Sequence, residues 1–119
     1  MHEYTVAYDI YATAKRAALE NSATHVNKIY VDVGELSMIN PEQVVFLFEI
    51  LRDEDSLRDE DSLFKDTVLE CHTVKALVKC ACGYRGSEKF VCPDCGSLPE
   101  VIEGREILVT NLEIEVDDV

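Results

Sequence analysis

The chain has 119 residues, of which 47% are hydrophobic and 29% charged, and its 11 basic and 24 acidic residues leave a net charge of −13. That is one domain's worth of sequence, with room for a small sub-domain around one modest core. The charge repels phosphate backbones and so argues against nucleic-acid binding, and no apolar run approaches the ~20 residues that span a bilayer.

The chain opens MHEY. No basic leader or uninterrupted apolar stretch follows, so it does not read as a signal peptide, and a cytoplasmic protein is expected. The amine of Met1, with an ordinary pKa of about 8, the backbone nitrogen of His2 and the His2 imidazole together offer three nitrogen donors in small chelate rings. Glu3 completes the set through its backbone nitrogen or its carboxylate. Planar nitrogen sites select Ni(II) or Cu(II) over zinc. Any chain that begins Met-His carries these atoms, so the plain alternative is a solvated terminal histidine. From Glu3 to about Asn21 the spacing of Val6, Ile10, Ala14 and Ala17/Ala18 predicts a helix. Glu3 in its first turn suits the helix dipole.

HVNKIYVDVGEL follows. Ile29, Val31 and Val33 alternate with Lys28, Tyr30 and Asp32 as in a half-buried strand, with His25 in the turn before it and Gly34 ending it. A second helix begins at INPEQ, where Asn40 is the cap, Pro41 takes the first helical position and Gln43 sits at the capping-box position. Its body, VVFLFEIL, is apolar on nearly all sides, so the helix is either buried or presents one face to a partner. Then RDEDSL occurs twice in tandem, at 52–57 and 58–63. Two copies do not make a solenoid, and a surface loop or helix end absorbs such an insertion cheaply. An acidic metal-collecting loop is the sharper alternative.

TVLECHTVKALVK predicts a second strand with Leu69 and Cys71 on one face and Glu70 and His72 on the other. EILVTNLEIEV predicts a third, with Leu108, Leu112, Ile114 and Val116 along one side. Between them lies KCACGYRGSEKFVCPDCGS. In a reducing cytoplasm, clustered cysteines point to metal rather than disulfides. Cys80/Cys82 and Cys92/Cys95 form two ligand pairs nine residues apart, each followed by a glycine, Gly83 or Gly96. Glycine supplies the positive φ that turns the chain beneath a metal. Four thiolates make a closed tetrahedral site suited to structural Zn(II), and iron is the other candidate metal. The first pair is one residue shorter than the usual C-x-x-C, and Cys71 is the alternative ligand. On the inward face of a strand, however, a thiol is ordinarily a small apolar group. Lys79, Arg85, Lys89 and Arg105 offset Glu88, Asp94, Glu100 and Glu103, so this ribbon is locally neutral, and Tyr84 and Phe90 read as ribbon core.

MHE at the start, a helix, VDVGELSMINPEQVVFLFEIL, a strand, a ribbon with CGY…CPDCGS, and then GREILVTNLEIE together resemble the HypA family of nickel metallochaperones for hydrogenase maturation, over nearly the whole chain and in the family's order. The resemblance implies an α+β protein in which a small α/β domain (1–76 and 106–119), with two helices on a three-stranded sheet, carries nickel at Met1, His2 and Glu3. It implies an inserted zinc ribbon (77–105) holding zinc at Cys80, Cys82, Cys92 and Cys95. It also implies a GTPase partner, HypB, delivery to the hydrogenase large subunit, in some organisms service to urease, and no catalysis, nucleic acid or membrane. The duplicated hexapeptide and the short first cysteine pair depart from that pattern. Outside the resemblance, the competing readings are a zinc-ribbon adaptor and a rubredoxin-like iron carrier. A hydrolytic zinc enzyme fits least, because four thiolates leave no open position for water.

Overall fold

A computed structural model describes residues 3–58, 62–88 and 90–117, with Arg58 described by its backbone alone. The elements are α1 (Glu3–Glu20), β1 (Ala23–Gly34), α2 (Pro41–Arg58), β2 (Val68–Val74), β3 (Leu77–Lys79), β4 (Arg85–Gly86), β5 (Glu100–Glu103) and β6 (Ile107–Val116). They form the expected α+β arrangement of two helices and a three-stranded sheet of order β2-β1-β6. A second three-stranded sheet has the order β4-β3-β5. Two compact units divide the chain, Met1–Val31 with Ile39–Cys71 and Val109–Val119, and Asp32–Met38 with His72–Leu108.

In the first unit α1 buries Val6, Ala7, Ile10, Ala14 and Ala18, a stripe at helical spacing. It ends where Asn21 donates from its backbone to Ala17 and Ala18 and from its side chain to Ala17, before Ser22 turns at φ 59°. The Asn40 carboxamide accepts from the Glu42 amide at 3.0 Å and caps α2. α2 packs on α1 and buries Val44 and Phe48. Tyr11 joins the two helices to the following loop, with ring centroids 4.6 Å from Phe64 and 6.4 Å from Phe48. That loop is pinned by Thr67, buried and donating to Val26 O at 2.6 Å, and by Arg52, which donates to Thr67 O at 2.9 Å. Ser62, from the second RDEDSL copy, is buried and donates to Asp55 of the first at 2.7 Å. Within β1, Val26, Ile29 and Val31 are fully buried, while Lys28 pairs with Glu70 and Tyr30 donates to Glu113. His25 lies inside β1 and not in a turn. Its ring nitrogens sit 2.6 Å from Lys65 O and 2.8 Å from Asn27 Oδ1, and these contacts tie the strand to the loop.

In the second unit β3 pairs antiparallel with both β4 and β5, Val78 lying opposite Gly86 on one side and Val101 on the other. Val33, Ala76 and Val78 are buried aliphatics of this unit. The second predicted strand is thus two strands, broken at Lys75–Ala76 and shared between different sheets. The break is made by partners distant in sequence. The Glu35 carboxylate accepts from the Ala76 amide at 2.8 Å, and Gly104 packs so close that a Cβ there would lie 2.7 Å from Ala76 Cα. Beside this contact Gly34 donates to Glu106 O at 2.8 Å and Leu36 to Gly104 O at 2.6 Å.

The expected face of β6 also needs correction. Ile107 and Val109 are half-buried, Thr110 and Asn111 are both exposed, and Leu112 and Ile114 are half-buried again. The alternation changes phase across Thr110–Asn111, which leaves Leu108 exposed, and Val116, in phase with Leu112 and Ile114, is exposed at the strand's end.

Candidate metal centre

The thiol sulfurs of Cys80, Cys82, Cys92 and Cys95 all lie within 4.8 Å of one another. Cys80 and Cys95 are 3.4 Å apart, and Cys82 and Cys92 3.6 Å. Tetrahedral thiolates at a Zn–S distance of ~2.3 Å stand about 3.8 Å apart, so the spacing suits a closed four-sulfur site. Each pair is one tight turn. In the first, Gly83 donates to Cys80 O at 2.9 Å and the Cys80 amide to Tyr84 O at 2.9 Å. In the second, Gly96 donates to Cys92 O at 2.9 Å and the Cys92 amide to Ser97 O at 2.8 Å. The shorter first pair closes its turn one residue earlier and still brings its sulfurs into the group. Gly83 at φ 103° and Gly96 at φ 76° occupy the left-handed region that favours glycine. A Cβ would meet nothing at either position, so conformation and not space calls for glycine.

Cys80 and Cys92 are buried, whereas Cys82 and Cys95 face solvent. The Ser97 backbone amide, then its hydroxyl, pulls the Cys95 thiol down to about 6. At Cys82 the Tyr84 amide acts in the same direction, but hydrogen bonding with Cys92 and desolvation outweigh it and lift the thiol to about 12. Crowded sulfurs without a cation must therefore share protons. A divalent cation relieves that crowding and deprotonates the coordinating thiols, so the donor set fits Zn(II) or another thiophilic ion. The parts sequence reasoning missed are backbone groups, the amides and carbonyls of Tyr84 and Ser97. Their signal was their place just behind each Cys-Gly.

Cys71 is not a member of this group. It lies half-buried on β2, and burial pushes its thiol up, away from the thiolate that binds metal. Glu3 opens α1 and is half-buried. Met1 and His2 lie outside the described residues. His72 is exposed on β2. Among the described residues, no helix is long and apolar enough to cross a membrane.

Residues 1–114 match the family described as hydrogenase/urease nickel incorporation, metallochaperone, hypA. The chain is 38% identical to the hydrogenase maturation factor HypA of Methanocella arvoryzae over 98% of its length and 100% of the relative's. With the protein of the same description from Aquifex aeolicus the identity is 32%, again over 98% and 100%. The solution structure of the Ni metallochaperone HypA from Helicobacter pylori superimposes with a TM-score of 0.71 at 27% identity, covering 98% of this chain and 100% of that one.

Proposed function

The chain belongs to the HypA family of hydrogenase and urease nickel-incorporation metallochaperones, and we propose that its nickel site is the amino-terminal chelate of Met1, His2 and Glu3. The observation that carries this reading is the family match, which spans residues 1–114 and so includes both the amino terminus and the ribbon. The donor chemistry agrees with it: an amine, a deprotonated amide and an imidazole favour a planar Ni(II) sphere. As cargo, nickel must be gripped and then released. Protonation of the amine and imidazole weakens an exposed chelate, and few outer contacts resist its loss.

Zn(II) is proposed at Cys80, Cys82, Cys92 and Cys95, a role supported by the sulfur spacing. When bound, the ion cross-links the two turns. A four-thiolate sphere has no position for a reacting water, in keeping with a carrier and not an enzyme. In this division residues 1–76 and 106–119 carry nickel, while 77–105 form the zinc ribbon. The proposed partners are the GTPase HypB and the hydrogenase large subunit, met in the cytoplasm without nucleic acid or membrane.

The test is a Ni(II) titration of untagged, zinc-loaded protein beside a variant with two extra residues before Met1. Saturable binding with a planar-nitrogen spectrum, lost in the extended variant, is the expected result. Equal binding by both would remove the nickel site from the amino terminus.

A further inference from the structure

α2 is apolar on more of its surface than the core uses. Val44 and Phe48 are buried, yet Phe46, Ile50 and Leu57 on the same helix are 54%, 41% and 88% exposed. At ~100° per residue these three side chains fall within a band about 40° wide. Carboxylates border it: Glu42, Glu49 and Asp53 along one edge and Glu54 along the other, all exposed. Among the described side chains no lysine or arginine shares this face. Arg52 turns away to Thr67 O and to Asp53. Scattered single apolar residues need no explanation, but an aligned stripe with a one-sign border does.

We infer that the outer face of α2 docks a partner segment of complementary chemistry, with apolar anchors at helical spacing flanked by lysine or arginine. Charge selects this occupant. A second copy of the chain would set four carboxylates against four, and like charges across an interface cost affinity. A basic amphipathic segment gains both the apolar contact and the pairing at the edges. The first RDEDSL copy supplies Leu57, the most exposed of the three anchors.

The chain contains no tryptophan, so a single tryptophan in a probe peptide reports binding without background. The probe is an 18-residue helix-forming peptide with leucines at three- and four-residue spacing, lysines on both flanks and one tryptophan. Its controls are a scrambled peptide and a glutamate-flanked one. Saturable binding of the lysine-flanked probe to the full-length, zinc-loaded protein is expected. The double substitution Phe46→Ser/Ile50→Ser and the single Leu57→Ser should each weaken it at least tenfold, with unchanged circular dichroism. Leu19→Ser, which removes an exposed leucine on α1, should bind as the parent does. Equal binding by the α2 variants, equal loss in Leu19→Ser, or equal binding of the scrambled peptide would overturn the proposal. So would a dimer of the parent chain in sedimentation that Phe46→Ser/Ile50→Ser dissolves, since the occupant would then be a second copy.

Discussion

Replacing Cys92 with serine removes one of four sulfurs while leaving the backbone of its turn intact. Cys92 is 1% exposed and lies 3.6 Å from Cys82 across the group. A hydroxyl at that place is a poor ligand for zinc. Structural zinc contributes about 10–16 kcal/mol to the small domains that depend on it. A quarter share is about 3 kcal/mol, or roughly 100-fold in affinity. Little else holds the ribbon: Phe90, Val91 and Leu98 are 69%, 53% and 81% exposed, and Val78 is its one fully buried aliphatic among the described residues. Loss of the ion should therefore speed hydrogen exchange at the amides that close the turns, those of Cys80, Gly83, Cys92 and Gly96. The helices α1 and α2, with their own core, should keep their protection. The assay is competition for zinc with a chromophoric chelator, followed by hydrogen exchange resolved by segment. Cys71→Ser is the control and should bind zinc as the parent does. Zinc affinity in Cys92→Ser within threefold of the parent would refute the reasoning, as would exchange in α1 and α2 rising as much as in the ribbon.

Two further outcomes follow from packing and from titration. A Cβ at Gly34 would stand 2.3 Å from Gly104 O, so Gly34→Ala must part the backbone that Gly34 and Leu36 bond. Two hydrogen bonds at about 1 kcal/mol each with overpacking of about 1–3 kcal/mol predict a loss of about 3–5 kcal/mol by urea unfolding, and a loss below 1 kcal/mol would contradict it. Tyr11 is raised from 10.0 to about 12, first by burial and then by its hydrogen bond to Asp55 and that residue's charge. A tyrosine raised on folding stabilises fully below its unfolded pKa, so this contribution should be intact below pH 10 and lost as pH rises towards about 12. Melting temperatures across that window should fall less steeply for Tyr11→Phe than for the parent, and parallel slopes would assign the alkaline loss elsewhere.

The elements specified by near neighbours were legible in the sequence. α1 is written in a periodic stripe and α2 in Asn40-Pro41, and both form where that local chemistry points. The cysteine turns were legible because Cys-Gly at close spacing has few other uses. The missed features depend on residues far apart in the chain. Nothing between Val74 and Leu77 punctuates the sequence, since no glycine or proline stands there. At Ala76 the Glu35 carboxylate accepts from the amide and Gly104 packs closely on the backbone, roughly 40 and 30 residues away in the chain. The strand around His25 is likewise tied to Lys65, a partner 40 residues away that no local pattern reveals. The shift of phase in β6 was not disclosed by the alternation of Leu108, Leu112, Ile114 and Val116.

The repeated hexapeptide also obeys a rule of helical phase. Six residues advance a helix by about 1.67 turns, which leaves the next copy about a third of a turn out of step. A seven-residue insertion would have kept nearly the same face. Two identical spellings therefore cannot do the same work on one helix. Leu57 is 88% exposed, whereas Leu63 is half-buried and precedes the fully buried Phe64. Ser56 is half-buried in α2, whereas Ser62 is 5% exposed and bonded to Asp55. α2 is described over Pro41–Arg58, and Arg58 is the first letter of the second copy. Because excision of either copy leaves the same chain, its gain or loss is a single step that spares every residue before it.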